Sequence, residues 1–172
     1  MDTEEKTLFE AVVVFFRRGN DVLLILKKLK IGKGCRNGYG GGIEPGETPK
    51  HAAVRETSEE SGGVEVREQD LVQIADTYFH NTKSDSSTFT CRVRVFEAYH
   101  WVGEFLPTDE AADPRWYPIS ALPLAEMLLA DPFWVPTALS GKKIKVEANY
   151  GPFQKELIGS VKITEIDSFI DD

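Results

Sequence analysis

Apolar positions recur along this chain with two different periods. Leu8 to Phe16 (LFEAVVVFF) and Val22 to Leu26 (VLLIL) are β-type runs on either side of Arg17-Arg18-Gly19-Asn20-Asp21, a pattern that predicts a hairpin. Between Ser87 and His100, Thr90, Arg92, Arg94 and Phe96 alternate with Cys91, Val93 and Val95, the period of a strand. Leu71 to Thr77, Trp116 to Ile119, Lys143 to Ala148 and Leu157 to Glu165 are further predicted strands, with a short one inside Gly38 to Ile43. A helix is predicted over Pro49 to Ser61: Thr48 can cap it, Pro49 suits its first turn, and Gly62-Gly63 can end it. A second helix is predicted over Ala121 to Ala130, stopped before Asp131-Pro132. The glycine-rich stretch from Ile31 to Gly46 reads as loop. Strands on both sides of a central helix, with another helix late, give an α/β or α+β sandwich.

Composition narrows the class. No repeat or linker divides the 172 residues, so a single domain over 1–172 is expected, able to bury about 70% of its unfolded surface. The hydrophobic share of 41% and charged share of 28% are those of an ordinary globular protein. No apolar run is long enough to cross a bilayer, and Met1 to Glu10 is acidic and unlike a signal peptide, so no membrane partner and a cytoplasmic location are expected. Cys35 and Cys91 lack metal-ligand spacing and read as reduced thiols, Cys91 in a strand. A net charge of −8 argues against binding a nucleic-acid polymer. It still permits a small phosphorylated substrate, if divalent cations lie between protein carboxylates and phosphates.

That condition points to Gly41–Gly63 (GGIEPGETPKHAAVRETSEESGG). At about 100° per residue, Glu56, Glu59 and Glu60 share one face, and Ala53, Val54, Thr57 and Ser61 form a neighbouring face small enough to pack on a sheet. Like charges four apart, as at Glu56 and Glu60, weaken a helix by a few tenths of a kcal/mol. Their clustering makes sense if hard cations bind there, because magnesium commonly bridges one or two carboxylates to substrate phosphates. A solvated acidic face is the bland alternative. It would require neither the tight Gly40-Gly41-Gly42 and Pro45-Gly46 loop nor Arg55, four residues before Glu59 and placed to orient it.

Gly41, Glu47, Arg55, Glu56, Glu59, Glu60 and Gly62 match the Nudix box, G-x5-E-x7-R-E-U-x-E-E-x-G-U. The chain resembles the Nudix hydrolases on this pattern, which implies their α/β (α+β) sandwich with a central mixed sheet between helices. Two apolar box positions are Thr57 and Gly63 here, with Val64 placed to restore the apolar contact. By position, the resemblance makes Glu56 and Glu60 ligands of Mg2+ (or Mn2+), with the Gly40 carbonyl as another. Glu59 becomes a ligand or the general base, oriented by Arg55, and Glu47 braces the loop against the helix. Which carboxylate takes the proton of the attacking water stays open. The implied reaction is attack of water on phosphorus in line, with phosphate or pyrophosphate leaving, assisted by cations that neutralise phosphate oxygens.

Outside the box, Lys27 to Gly42 (KKLKIGKGCRNGYGGG) resembles the K-K-x-x-G-x-G-x-x-N-G-F-G-G stretch of the animal-type 8-oxo-dGTP diphosphatases, the MutT-homologue branch. Thr108-Asp109-Glu110 before Arg115-Trp116-Tyr117, Asp131-Pro132-Phe133-Trp134-Val135-Pro136, and the tail from Asn149 to Glu165 resemble it too. This resemblance implies a nucleotide substrate and a nucleotide-pool sanitising role. It places Asn37 and Asp131 on the purine edge, Asp131 as a protonated donor in a dry pocket. Trp134 would wall that pocket, Lys27 would meet phosphate, and Glu110 would be a metal ligand from outside the box. Taken singly, Asn37-Gly38 is an ordinary turn pair, Asp131-Pro132 a helix stop, and Trp134 a core residue. The chain departs from the branch at Ala130, where a second aspartate is usual, at Leu128, where a pocket tryptophan is usual, and at Ile31 and Arg36, where aromatics stand. Other capped phosphates, such as ADP-ribose and dinucleoside polyphosphates, remain alternative substrates. A non-catalytic nucleotide-binding domain is a third reading, against which stands the intact set Arg55, Glu56, Glu59 and Glu60. A monomer or a homodimer fits the sequence equally.

Overall fold

Strand β1 (Glu10–Arg18) is the axis on which the site is built. In the computed structural model, which describes residues 5, 7–29 and 32–170, it has neighbours on both sides. Among these residues the chain forms β2 (Asp21–Lys27), β3 (Arg36–Asn37), β4 (Tyr39–Gly42), α1 (Pro49–Ser61), β5 (Val72–Thr82), β6 (Thr88–Ala98), β7 (Ala111–Pro118), α2 (Asp131–Leu139), β8 (Ile144–Tyr150) and β9 (Lys162–Glu165). The central mixed sheet runs β4-β1-β6-β5-β8-β9, with β1–β6 and β5–β8 parallel and the other pairs antiparallel. The far end of β1 turns at Gly19 (φ 58°) into β2, which carries β3 on one edge and β7 on the other.

Both faces of β1 are covered, which explains its nearly unbroken apolar run. Val12, Val14 and Phe16 point to one face, into a cluster with Tyr39, Ala52, Ala53 and Phe96 beneath α1. Ala11 and Phe15 point to the other, with Phe79, Val95, Trp134, Val135 and Ala138 beneath α2. The alternation predicted over residues 87–100 holds: Cys91, Val93 and Val95 lie in the α2 cluster and Phe96 in the α1 cluster. Gly38 and Gly40 lie close against β1: a Cβ would come within 2.4 Å of the Val14 carbonyl oxygen at Gly38 and 2.0 Å of that of Val12 at Gly40.

Four expectations are corrected. Ala121 to Ala130 is not a helix; it holds only single 3₁₀ turns at Ile119–Ala121 and Leu124–Glu126. Pro123 lies inside the stretch, and the residue before a proline is driven out of the α region; Leu122 is extended (φ −66°, ψ 145°). Asp131-Pro132 opens α2 rather than stopping a helix, which suits a proline in the first turn. Leu157 to Glu165 is a strand only over Lys162–Glu165, with Leu157 making a single bridge to Tyr150. The strand predicted over Trp116 to Ile119 begins earlier, at Ala111. No helix among the described residues is long and apolar enough to cross a membrane.

Candidate active site

Helix α1 begins and ends as its sequence dictates. Thr48 Oγ1 accepts the His51 N–H at 3.1 Å, Pro49 opens the first turn, and Gly62 closes the helix in the left-handed region at φ 79°. The apolar stripe of Ala52 and Ala53 seats the helix on β1 and β4, and Val64 is fully buried just beyond its end. Thr57, at an apolar box position, is buried with its hydroxyl unpartnered.

This seating turns two glutamates inward. Glu56 is 4% exposed and Glu60 1%, and each keeps one buried carboxylate oxygen, Oε2, without a hydrogen-bond partner. Glu56 Oε1 accepts from Arg55 at 2.9 Å. Burial pushes the Glu60 carboxyl up to about 7; the Lys27 charge opposes this, the Glu56 and Glu110 charges add to it, and a backbone hydrogen bond from Gly40 opposes it again. The Gly40 amide therefore lies close to the Glu60 carboxylate. Glu59 is at the helix surface, its carboxylate oxygen 3.4 Å from Arg55.

Arg55 does more than orient Glu59. Its Nε and Nη2 hold both Glu47 oxygens at 2.8 Å, and Nη2 also donates to the Gly42 carbonyl at 3.0 Å. Glu47 Oε1 accepts the Glu44 N–H at 3.0 Å, so Glu47 braces the loop against the helix as expected. Hydrogen bonds from Arg55, opposed by burial, hold the Glu47 carboxyl down at about 2. The loop before β7 is tied to the same helix: Leu106 N–H donates to the Ser61 carbonyl at 2.9 Å and Thr108 Oγ1 to the Glu60 carbonyl at 2.7 Å. That tether brings Glu110 within electrostatic reach of Glu60, and the Glu110 carbonyl accepts from Lys28 at 2.9 Å.

Two of the base-pocket candidates, Asp131 and Trp134, lie in the first turns of α2. Asp131 is 2% exposed, and burial pushes its carboxyl up to about 7 against a hydrogen bond from the Leu128 N–H. Trp134 lies near enough to lower that value, yet its indole N–H fails hydrogen-bond geometry and is buried without a partner. Phe79 adjoins Trp134 at 6.5 Å and Tyr150 at 5.8 Å between ring centroids. The Tyr150 hydroxyl accepts the Ala130 N–H at 2.9 Å and, like the Cys35 thiol, is pushed up by burial and by the Asp131 charge. Sequence reasoning missed Cys35 and Tyr150; only the β3–β2 pairing and the parallel register of β8 on β5 bring them to Asp131. Asn37 pairs with Ile25 as a strand residue, and its Oδ1 accepts the Gly38 N–H at 2.8 Å. Arg36 turns instead to Asp113, at 2.5 Å. Ile31 lies outside the described residues.

Residues 7–136 match the family model for the NUDIX domain. The chain belongs to the Nudix family. It is 33% identical over 150 residues to the oxidized purine nucleoside triphosphate hydrolase of Mus musculus, covering 86% of this chain and 89% of that protein. The protein of the same name in Danio rerio is 33% identical over 147 residues, covering 85% and 88%. The crystal structure of the MutT protein from Bacillus halodurans superposes with a TM-score of 0.73 at 20% identity, covering 91% of this chain and 97% of that one, and shows the Nudix fold. This Nudix chain is accordingly a pyrophosphohydrolase, of a family that acts on nucleotides with divalent metal. Its residues fit such an ion. Among the described residues, two buried carboxylate oxygens lack a hydrogen-bond partner, and both belong to the box helix. Among the described residues no three acidic, histidine or cysteine side chains form a ready cage.

Proposed function

We propose that this chain is a single Nudix domain that hydrolyses oxidised purine nucleoside triphosphates of the 8-oxo-dGTP type to monophosphate and pyrophosphate, sanitising the cytoplasmic nucleotide pool. The observation that carries the chemistry is the pair of buried, unpartnered oxygens on Glu56 and Glu60. The curated relatives named for oxidised purine substrates support the choice of nucleotide.

In this reading Glu56 and Glu60 hold Mg2+, which Mn2+ can replace, with Glu110 and the Gly40 carbonyl completing the protein's share. An ion held there would supply charge to neutralise phosphate oxygens and would lower the pKa of a bound water. Lys27, whose charge already reaches Glu60, meets the phosphates. Arg55 fixes the frame through Glu47, Gly42 and Glu56. A new P–O bond forms from water as the anhydride P–O bond breaks, and a box glutamate takes the water's proton; the exposed Glu59 is the accessible acceptor. Asn37 and Asp131 read the purine edge and Trp134 walls it. A carboxyl held up near 7 is protonated for a large fraction of molecules at neutral pH and can donate to a base acceptor.

One observation favours a wider substrate range. Ala130 replaces the branch's second aspartate and its amide is engaged by Tyr150, so a single carboxyl remains to discriminate bases. The test is pyrophosphate release from 8-oxo-dGTP and dGTP with Mg2+, using wild type and Glu60→Gln. A strong preference for the oxidised nucleotide with an inactive variant is expected. Equal turnover of dGTP would refute the sanitising role, and cleavage of neither would redirect the search to ADP-ribose and dinucleoside polyphosphates.

A further inference from the structure

Tyr39 is 1% exposed, and its hydroxyl has no hydrogen-bond partner. Leaving such a group unpaired costs about 1–3 kcal/mol. Packing alone gives no reason for it, since the ring would fill the same space without its oxygen. The ring is firmly fixed: it stacks on Phe105 at 5.7 Å and 15°, and meets Phe16 edge-on at 6.1 Å. Phe105 precedes Leu106, whose N–H bonds the Ser61 carbonyl, so the stacked pair lies beside the last turn of α1. From the other direction, Tyr39 shares its apolar cluster with Ala53, and Glu60 lies two helical turns beyond Ala53 on the same face.

Glu60 Oε2 is likewise buried and unpartnered, as are Glu56 Oε2 and Thr57 Oγ1 on the same helix. Burial pushes the Tyr39 phenol above the usual tyrosine range, and the Glu60 charge pushes it further, so the two groups feel one another. One is a donor in need of an acceptor and the other an acceptor in need of a donor.

We propose that Tyr39 is a positioning residue for the metal site: when the cation binds, its hydroxyl donates to the Glu60 carboxylate through one water and fixes which oxygen faces the cation. This rests on Glu60 being a metal ligand, as proposed above. Groups that hydrogen-bond a ligating carboxylate hold its orientation, and their loss typically costs 10–100-fold in metal affinity.

The experiment is a titration with Mn2+ alone, followed by electron paramagnetic resonance, on wild type, Tyr39→Phe and Glu60→Gln, with melting temperatures of the metal-free proteins. Tyr39→Phe should bind Mn2+ about tenfold more weakly while its metal-free melting temperature stays equal or rises, because an unpaired hydroxyl has been removed. Unchanged Mn2+ affinity in Tyr39→Phe, or weaker affinity accompanied by a lower metal-free melting temperature, overturns the assignment of Tyr39. Undiminished Mn2+ binding by Glu60→Gln instead overturns the metal site itself, and Tyr39's role with it.

Discussion

The backbone of Gly41 and the carboxylate of Glu56 touch: a Cβ on Gly41 would lie 2.6 Å from both Cδ and Oε1 of Glu56. The box glycine and the box glutamate are therefore two halves of one contact between β4 and α1. Gly41→Ala must displace a carboxylate whose Oε1 Arg55 holds. Activity with Mg2+ should fall at least tenfold, with a stability loss of about 1–3 kcal/mol from overpacking. Steady-state kinetics beside a urea titration checks this; an alanine variant with full kcat would show that Glu56 can move freely.

Arg55→Lys should destabilise the protein by about 1–3 kcal/mol at neutral pH, because an ammonium cannot reproduce the two-pronged grip on Glu47. The pH dependence follows from Glu47. Its folded value, about 2, lies below the ordinary 4.5, so its stabilisation is complete above pH 4.5 and is lost as pH falls towards 2. Denaturant midpoints for wild type and Arg55→Lys should therefore converge between pH 4.5 and pH 2; a gap of constant size would place the arginine's role elsewhere.

Asp131 behaves in the opposite sense. Its folded value, about 7, lies above the ordinary 3.8, so the folded state favours the protonated acid, and stability is lost as pH rises from 3.8 through 7. Asp131→Asn removes that ionisation. The variant should gain on wild type across this window, by on the order of 4 kcal/mol at pH 8, with the KM for 8-oxo-dGTP rising above pH 7 in wild type only. Parallel stability curves for the two proteins would mean that Asp131 ionises freely.

Thr48→Ala should cost about 1 kcal/mol through loss of the cap on the His51 N–H. Its side chain bonds none of the glutamates, so kcat should stay within about twofold of wild type. A large kcat loss at unchanged stability would reveal a role for the loop that the cap does not explain.

The legible parts of the sequence were those governed by local rules. Alternation marked residues 88–98, and Thr48, Pro49 and Gly62 set the bounds of α1 because caps act over a single turn. The mistaken helix over residues 121–130 has a different origin. Its Leu122 and Leu124 pack against the α2 core from an irregular chain, so apolar spacing there reflects tertiary contact and Pro123 decides the backbone. At the site, the glutamates were visible as a pattern, but which of them turn inward was not. Arg55's first partner, Glu47, lies eight residues back across the loop, a relation that helical spacing alone does not mark. Tyr150 and Cys35 reach Asp131 only through strand pairing, which a single sequence does not disclose.

The parallel pairing of β1 with β6 bears on how the protein is made. The floor under α1 consists of β1 and β4, yet β1 gains its second neighbour only when residues 92–98 are available, and β5 waits for residues 144–150. During synthesis the glutamate helix therefore leaves the ribosome well before its platform can close, and the pocket at Asp131 is completed later still. Non-local pairing of this kind slows folding, so a nascent chain halted near residue 85 should hold its box-helix carboxylates in water, without the burial that distinguishes Glu56 and Glu60 from Glu59.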